Sequence, residues 1–180
     1  MTRTQKRRLA SLVAVAASVA AVLSFPLNSG AASVTAIPFT AIRYGCSATD
    51  GEAFVTADKI LHVRNAINHN LWVASTPYLT GYADNVVNAD IDLATGVGNA
   101  HPHQTMKPFA YEGTWEAQVQ IKIRPDGNES DGVGHGTGVL TGMTVRWQVT
   151  GNFVTDSNPC GSNPFAARLA GEIQIPASAA

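Results

Sequence analysis

Apolar and polar residues alternate through most of the chain after residue 33, which is the pattern of β-strands with one covered face. The clearest example is 114–123. Its odd-numbered residues, from Trp115 to Ile123, are all apolar, while its even-numbered residues, from Thr114 to Lys122, are polar. One face of this strand is therefore expected to lie on a core and the other to face solvent.

The same period of two predicts several further strands. We place them at 37–44, 52–57, 59–75, 82–93, 136–150 and 168–175. The segment 125–134 is rich in Gly, Asp and Ser, so we expect it to form a long loop that joins strands 114–123 and 136–150 into a hairpin.

The strand pattern predicts an all-β fold of seven or eight antiparallel strands. A closed barrel and an immunoglobulin-like sandwich both accommodate that number. Segments such as 59–75 and 82–93 are long for sandwich strands, and closure removes exposed sheet edges, so we favour the barrel.

The first 32 residues have a different pattern, that of a secretory signal peptide. Arg3, Lys6, Arg7 and Arg8 precede an apolar run over 9–25, and small residues follow at 29–32. The run is short for a membrane span, which needs about 20 apolar residues. We therefore expect export to the periplasm or the medium, without stable membrane anchoring, and a single domain over 33–180.

Charge and cysteine content agree with an exported protein that does not bind nucleic acid. The chain has 12 Lys and Arg against 13 Asp and Glu, and four of the basic residues belong to the predicted signal peptide. The remaining acidic excess argues against a nucleic-acid partner, which requires clustered basic residues. Cys46 and Cys160 are the two cysteines, and in an oxidising compartment we expect them to form a disulfide.

Polar residues on the predicted apolar faces suggest a binding site for a small, largely apolar molecule. A buried amide or imidazole needs a partner, and an eight-stranded barrel is just large enough to hold one small ligand. Trp115 and Trp147 would form apolar walls, and His69 would help to orient a polar end of the ligand. The candidate residues are Asn65, His69, Asn85, Trp115, Thr141, Met143 and Trp147. The alternative is a filled barrel that acts through its outer surface.

A metal site is the weaker interpretation of His101, His103 and Glu112. Two histidines at i and i+2 face the same side of an extended segment, and imidazole is a common ligand of transition metals. The spacing to Glu112 does not match the cupin pattern, and the prolines nearby favour a loop over 99–107. We predict no metal and no cofactor.

Several motifs resemble those of secreted bacterial β-barrel proteins similar to the allene oxide cyclase barrel and, more distantly, to calycins. The motifs are ASTPYLTG at 74–81, VNADID at 87–92, TGVG at 95–98, GTWE at 113–116, GHGTG at 134–138 and GEI at 171–173. The resemblance implies a barrel with an apolar cavity, and it raises the alternative of a cyclase or isomerase acting on a lipid-like substrate. In that case His69 would be the acid–base group, and no catalytic residue is carried over from the family.

Overall fold

The computed structural model describes residues 33–161 and 163–177, which form an almost entirely β structure. The predicted signal peptide lies outside the described residues. The strands are β1 (Val34–Thr49), β2 (Glu52–Val55), β3 (Ile60–Ala74), β4 (Gly81–Asp92), β5 (Gly98–Ala100), β6 (His103–Pro108), β7 (Trp115–Ile123), β8 (Glu129–Gly136), β9 (Thr144–Val154) and β10 (Phe165–Pro176).

Eight antiparallel strands close into a barrel, which confirms the predicted fold. Around the ring their order is β1, β3, β4, β6, β7, β8, β9 and β10, and β10 pairs with β1 to complete it. The other two strands lie outside this ring. Strand β2 pairs with β3 beyond the end of β1, and β5 pairs with β4 and β7 beyond the end of β6.

The predicted hairpin of 114–123 and 136–150 is wrong because a strand lies between its two members. Strand β8 runs through the Gly-rich segment that we expected to be a loop, and it pairs with β7 on one side and β9 on the other. Gly132 explains how this is possible. A Cβ atom at Gly132 would lie 2.2 Å from a ring atom of Trp147, so the glycine makes room for the indole.

The start of the next predicted strand is also different. Gly138–Leu140 is a 3₁₀ turn, and β9 begins only at Thr144. As a result Thr141 is exposed, with its hydroxyl donating to the Gly138 carbonyl, whereas we had placed it on the apolar face.

The loop expected over 99–107 is instead largely strand. Strand β6 pairs with both β4 and β7 and turns Gln104 and Met106 towards the interior. Pro102 lies at the break between β5 and β6, where the lack of an amide hydrogen interrupts the ladder. The Pro102 carbonyl still accepts a hydrogen bond from the Val119 amide at 2.9 Å.

One end of the barrel, which we call the closed end, is filled by large apolar side chains. Trp72 and Trp147 meet edge to face with ring centroids 5.3 Å apart, and the Trp115 indole donates to the Tyr78 carbonyl at 2.9 Å. The stacked rings of Tyr78 and Tyr111, from loops 75–80 and 109–114, lie against this cluster. Other buried members are Phe39, Leu79, Met106, Leu140, Val145, Leu169 and Ile173.

A disulfide joins Cys46 of β1 to Cys160 in the loop between β9 and β10, as predicted. It links two points 114 residues apart in sequence, near the start and the end of the barrel. Such bonds are typical of proteins from oxidising compartments. Within residues 33–161 and 163–177, no helix has the length and hydropathy needed to cross a membrane.

Candidate functional site

The opposite end of the barrel, which we call the open end, contains a cavity of about 200 Å³. Strands β1, β3, β4 and β7 and the loop before β10 surround it. Its rim includes exposed residues such as Ser47 and Ala48, so the cavity communicates with solvent. The residues around it are Arg43, Gly45, Ser47, Ala48, Asn68, His69, Asn70, Asn85, Val87, Pro102, Ile121, Asn163 and Phe165.

Arg43 is the cation of this cavity, and the alternation of β1 directs it inwards. Phe39 and Ala41 precede it on the same face, and both are buried in the core. Across the sheet Arg43 pairs with Trp72 of β3 and Ala167 of β10, both fully buried. Residues that are directly opposite in neighbouring strands point to the same side of the sheet, so the Arg43 side chain enters the barrel.

The guanidinium of Arg43 has no partner among the described residues. It makes neither an ion pair nor a side-chain hydrogen bond with any of them, although it carries five N–H donors. Burial lowers the pKa of Arg43, but an arginine side chain stays protonated in proteins. The open end therefore contains a positive charge that the described part of the chain does not neutralise.

Amide side chains also line the cavity. Asn68 and Asn85 pair directly across β3 and β4, and Asn70 lies one inward position further along β3. The Asn70 amide donates to the Asn68 carbonyl at 3.3 Å, whereas Asn85 is buried and makes no side-chain hydrogen bond with a described residue. Gln104, which pairs with Asn85 in the barrel wall, is 2% exposed and its Oε1 atom accepts no hydrogen bond from these residues.

The loop after β9, described at 155–161 and 163–164, is held against the rim of the cavity by the disulfide and by one asparagine. The Asn158 amide donates to the carbonyls of Gly45 and Asn163, so it bridges β1 and the end of the loop. Because Gly45 and Asn163 both line the cavity, the Cys46–Cys160 bond and the Asn158 bridge fix the shape of the opening.

The seven residues predicted to bind a ligand are distributed over three places. Asn85 lines the cavity, while Trp115, Met143 and Trp147 are buried in the apolar cluster of the closed end. Thr141 lies on the exposed turn before β9.

Asn65 and His69 were expected on the inner face of β3, and that expectation is wrong. A β-bulge between Val63 and Ala66 shifts the alternation, and Asn65 has a positive φ of 55° and is exposed. His69 borders the rim of the cavity, but its imidazole is 46% exposed and its Nδ1 atom lies 2.6 Å from the Asp84 carboxylate on the outer face. Beyond the bulge, the inner positions are instead Asn68, Asn70 and Trp72.

The histidines of the weaker metal interpretation lie on the outer surface. His101 and His103 are exposed, and the Nε2 atom of His103 is 3.3 Å from Oε2 of Glu116. Glu112 lies in the loop 109–114. Among the described residues, no three His, Cys, Asp or Glu side chains are arranged to hold a metal ion.

A second polar cluster, which we call the outer cluster, lies beside β2 on the outside. The Asp90 carboxylate accepts from Arg64 and lies 2.6 Å from Nδ1 of His62, whose Nε2 is 3.4 Å from the Thr56 hydroxyl. The order of carboxylate, imidazole and hydroxyl matches a hydrolase triad. However, the Thr56 hydroxyl donates its hydrogen bond to the Asp58 carboxylate at 2.5 Å, so it does not donate to His62 and is not activated as a nucleophile. The hydrogen bonds from Arg64 and His62 lower the pKa of Asp90, so the cluster is a surface ion-pair network.

No model of a known protein family matches this chain, and the curated proteins include no sequence similar to it.

Proposed function

We propose that this protein is an exported binding protein that holds a small molecule in the open end of its barrel. The observation that carries the proposal is the difference between the side chains that fill the two ends of the barrel. The closed end is packed with aromatic and aliphatic side chains, whereas the open end has a solvent-connected cavity whose lining includes Arg43 and Asn85, two polar side chains without a hydrogen-bond partner among the described residues.

These polar groups are costly unless something binds them. A buried polar group without a hydrogen bond destabilises a fold by about 1–3 kcal/mol, and a charged one by more. Arg43 and Asn85, which line the cavity, are such groups, and apolar residues in their place would avoid this cost. Residues that reduce stability in a cavity open to solvent are typical of a binding site.

The lining also supports a ligand with two different parts. Val87, Ile121 and Phe165 offer apolar surface, while Arg43 and Asn85 offer hydrogen-bond donors. A small molecule with an apolar body and one polar end matches this division.

The cyclase or isomerase alternative has less support in the geometry. Its acid–base candidate, His69, has its imidazole directed to Asp84 on the outer face. None of the other histidines in the described ranges lines the cavity.

Export is part of the proposal, and it rests on the N-terminal pattern together with the disulfide. A basic, apolar and small-residue leader is the pattern of an exported chain, and the Cys46–Cys160 bond is of the kind that persists outside the cytoplasm.

The proposal is tested by mass spectrometry of protein purified from secreting cells, native against denatured. The expected result is a bound compound that is released on denaturation. Val87→Phe, which fills the cavity, should abolish this mass difference. Val86→Phe, its neighbour on the outer face, should keep it. Equal retention of the compound by both variants would refute binding at the open end.

A further inference from the structure

We propose that the ligand is a small organic monocarboxylate whose carboxylate group pairs with the guanidinium of Arg43. This inference rests on the proposed function, since it names the chemical class of ligand for the same cavity.

The charge of the cavity supports an anion. Arg43 is the cation among the described residues that points into the barrel, and no acidic side chain is among the residues around the cavity. The acidic residues of strand β4 do not point into the barrel. Asp84 and Asp90 lie on the outer face, where they pair with His69 and Arg64, and Asp92 is the last residue of the strand. A ligand that brings one negative charge would neutralise the open end.

The shape of the donor favours a carboxylate. A guanidinium presents two parallel N–H groups that match the two oxygens of a planar carboxylate, and such bidentate pairs are among the strongest hydrogen-bonded contacts in proteins. Asn85, which lines the same cavity, adds an amide donor without another described partner. A phosphate dianion would keep one uncompensated charge, because the described lining contains a single arginine and no lysine.

The size of the cavity limits the ligand to a compact molecule. A volume of about 200 Å³ lies below the range of roughly 300–1,000 Å³ that is typical of sites for drug-sized ligands. A carboxylate on one ring or on a short alkyl chain fills such a space, and the ring or chain would contact Val87, Ile121 and Phe165. Benzoate and hexanoate are therefore suitable probes.

The experiment measures binding of these probes by calorimetry to the mature, disulfide-bonded protein. Benzoate or hexanoate should bind, and the neutral isostere benzamide should bind at least about tenfold more weakly. Arg43→Met should weaken carboxylate binding at least about tenfold. Arg43→Lys should weaken it less, because lysine keeps the positive charge but lacks the two parallel N–H donors of the guanidinium. Arg146→Met is the matched control, since Arg146 is exposed on the outer face of β9, and it should bind like the wild type.

Three results with a bound probe would each overturn the inference. They are equal affinity for benzoate and benzamide, unchanged carboxylate affinity in Arg43→Met, and tighter binding of inorganic phosphate than of either carboxylate. The benzamide comparison uses wild-type protein alone, so the test does not depend on the folding of any variant. A neutral compound in the native mass spectrum that Val87→Phe loses, together with no carboxylate binding, would refute the carboxylate and leave the proposed function intact.

Discussion

Replacing Arg43 by Met should make the ligand-free protein more stable, which is unusual for a change in a barrel interior. Arg43 pairs across the sheet with the fully buried Trp72 and Ala167 and lines the cavity, and its guanidinium has no ion pair or side-chain hydrogen bond with a described residue. Met has a stem of similar length and no charge to desolvate. The variant therefore removes a destabilising group while keeping most of the apolar contacts of the side chain.

The size of the gain follows from the position of the guanidinium. A buried polar group without a partner costs about 1–3 kcal/mol, and a charged group costs more. The cavity is connected to solvent, and water inside it offsets part of this cost. We therefore expect Arg43→Met to raise the free energy of unfolding by about 1–2 kcal/mol. For a domain of this size that corresponds to a rise in Tm of roughly 2–8 °C.

Urea denaturation of the mature protein, with its disulfide intact, measures this difference directly. The midpoint should rise while the m-value stays unchanged, because the surface exposed on unfolding is nearly the same. Arg146→Met, on the outer face of β9, should change stability by less than about 0.5 kcal/mol. A loss of more than about 1 kcal/mol in Arg43→Met would refute the reasoning, because it would mean that the guanidinium makes a stabilising interaction.

Three other perturbations test separate parts of the structure. Reduction of the Cys46–Cys160 bond should lower the free energy of unfolding by up to about 4–5 kcal/mol and weaken probe binding, as measured by denaturation and calorimetry with and without reductant. Gly132→Ala should destabilise the barrel by about 1–3 kcal/mol, because its Cβ would overlap the neighbouring indole, whereas Gly151→Ala has open space and should be nearly neutral in the same assay. The pKa of Asp90 is lowered by hydrogen bonds from its arginine and histidine partners, so its stabilising contribution is present above the carboxyl's unfolded pKa of about 3.9 and is lost as pH falls through the lower folded value. Denaturation at a series of pH values should show a smaller loss below pH 4 for Asp90→Asn than for the wild type.

Regular strands were predictable because the alternation of apolar and polar residues in the sequence shows which side chains are buried. In β7 the apolar residues from Trp115 to Val119 face the core as the alternation requires, and the long strands β3 and β4 were found near their expected positions. The disulfide followed from two cysteines and an exported chain. Such inferences need only local patterns, and those patterns agree with the fold.

The parts that were not predictable depend on contacts between strands. Strand β8 has glycines at its inward positions, so its sequence does not show the alternation of apolar and polar residues that indicates a strand. The glycines are explained only by the structure, in which the indole of Trp147 lies against Gly132. In β3 the bulge between Val63 and Ala66 exchanges the inward and outward positions of the residues that follow it. Periodicity alone therefore placed His69 inside the barrel, whereas the inward residue is Asn70. Arg43 did have a local signal, since it continues the alternation of Phe39 and Ala41, but a charged residue at an inward position is meaningful only once the cavity is known.

The two halves of the interior have complementary effects on the free energy of unfolding. The closed end packs three tryptophans with aliphatic side chains, and this packing allows the open end to keep polar groups without partners. The disulfide lies at the open end, where it and the Asn158 bridge hold the loop after β9 against β1. If a carboxylate binds Arg43, it neutralises the charge that destabilises the free protein. Ligand affinity and the instability of the empty barrel then have one physical origin, so Arg43→Met should be the more stable protein without ligand and the wild type should gain stability when a carboxylate is added.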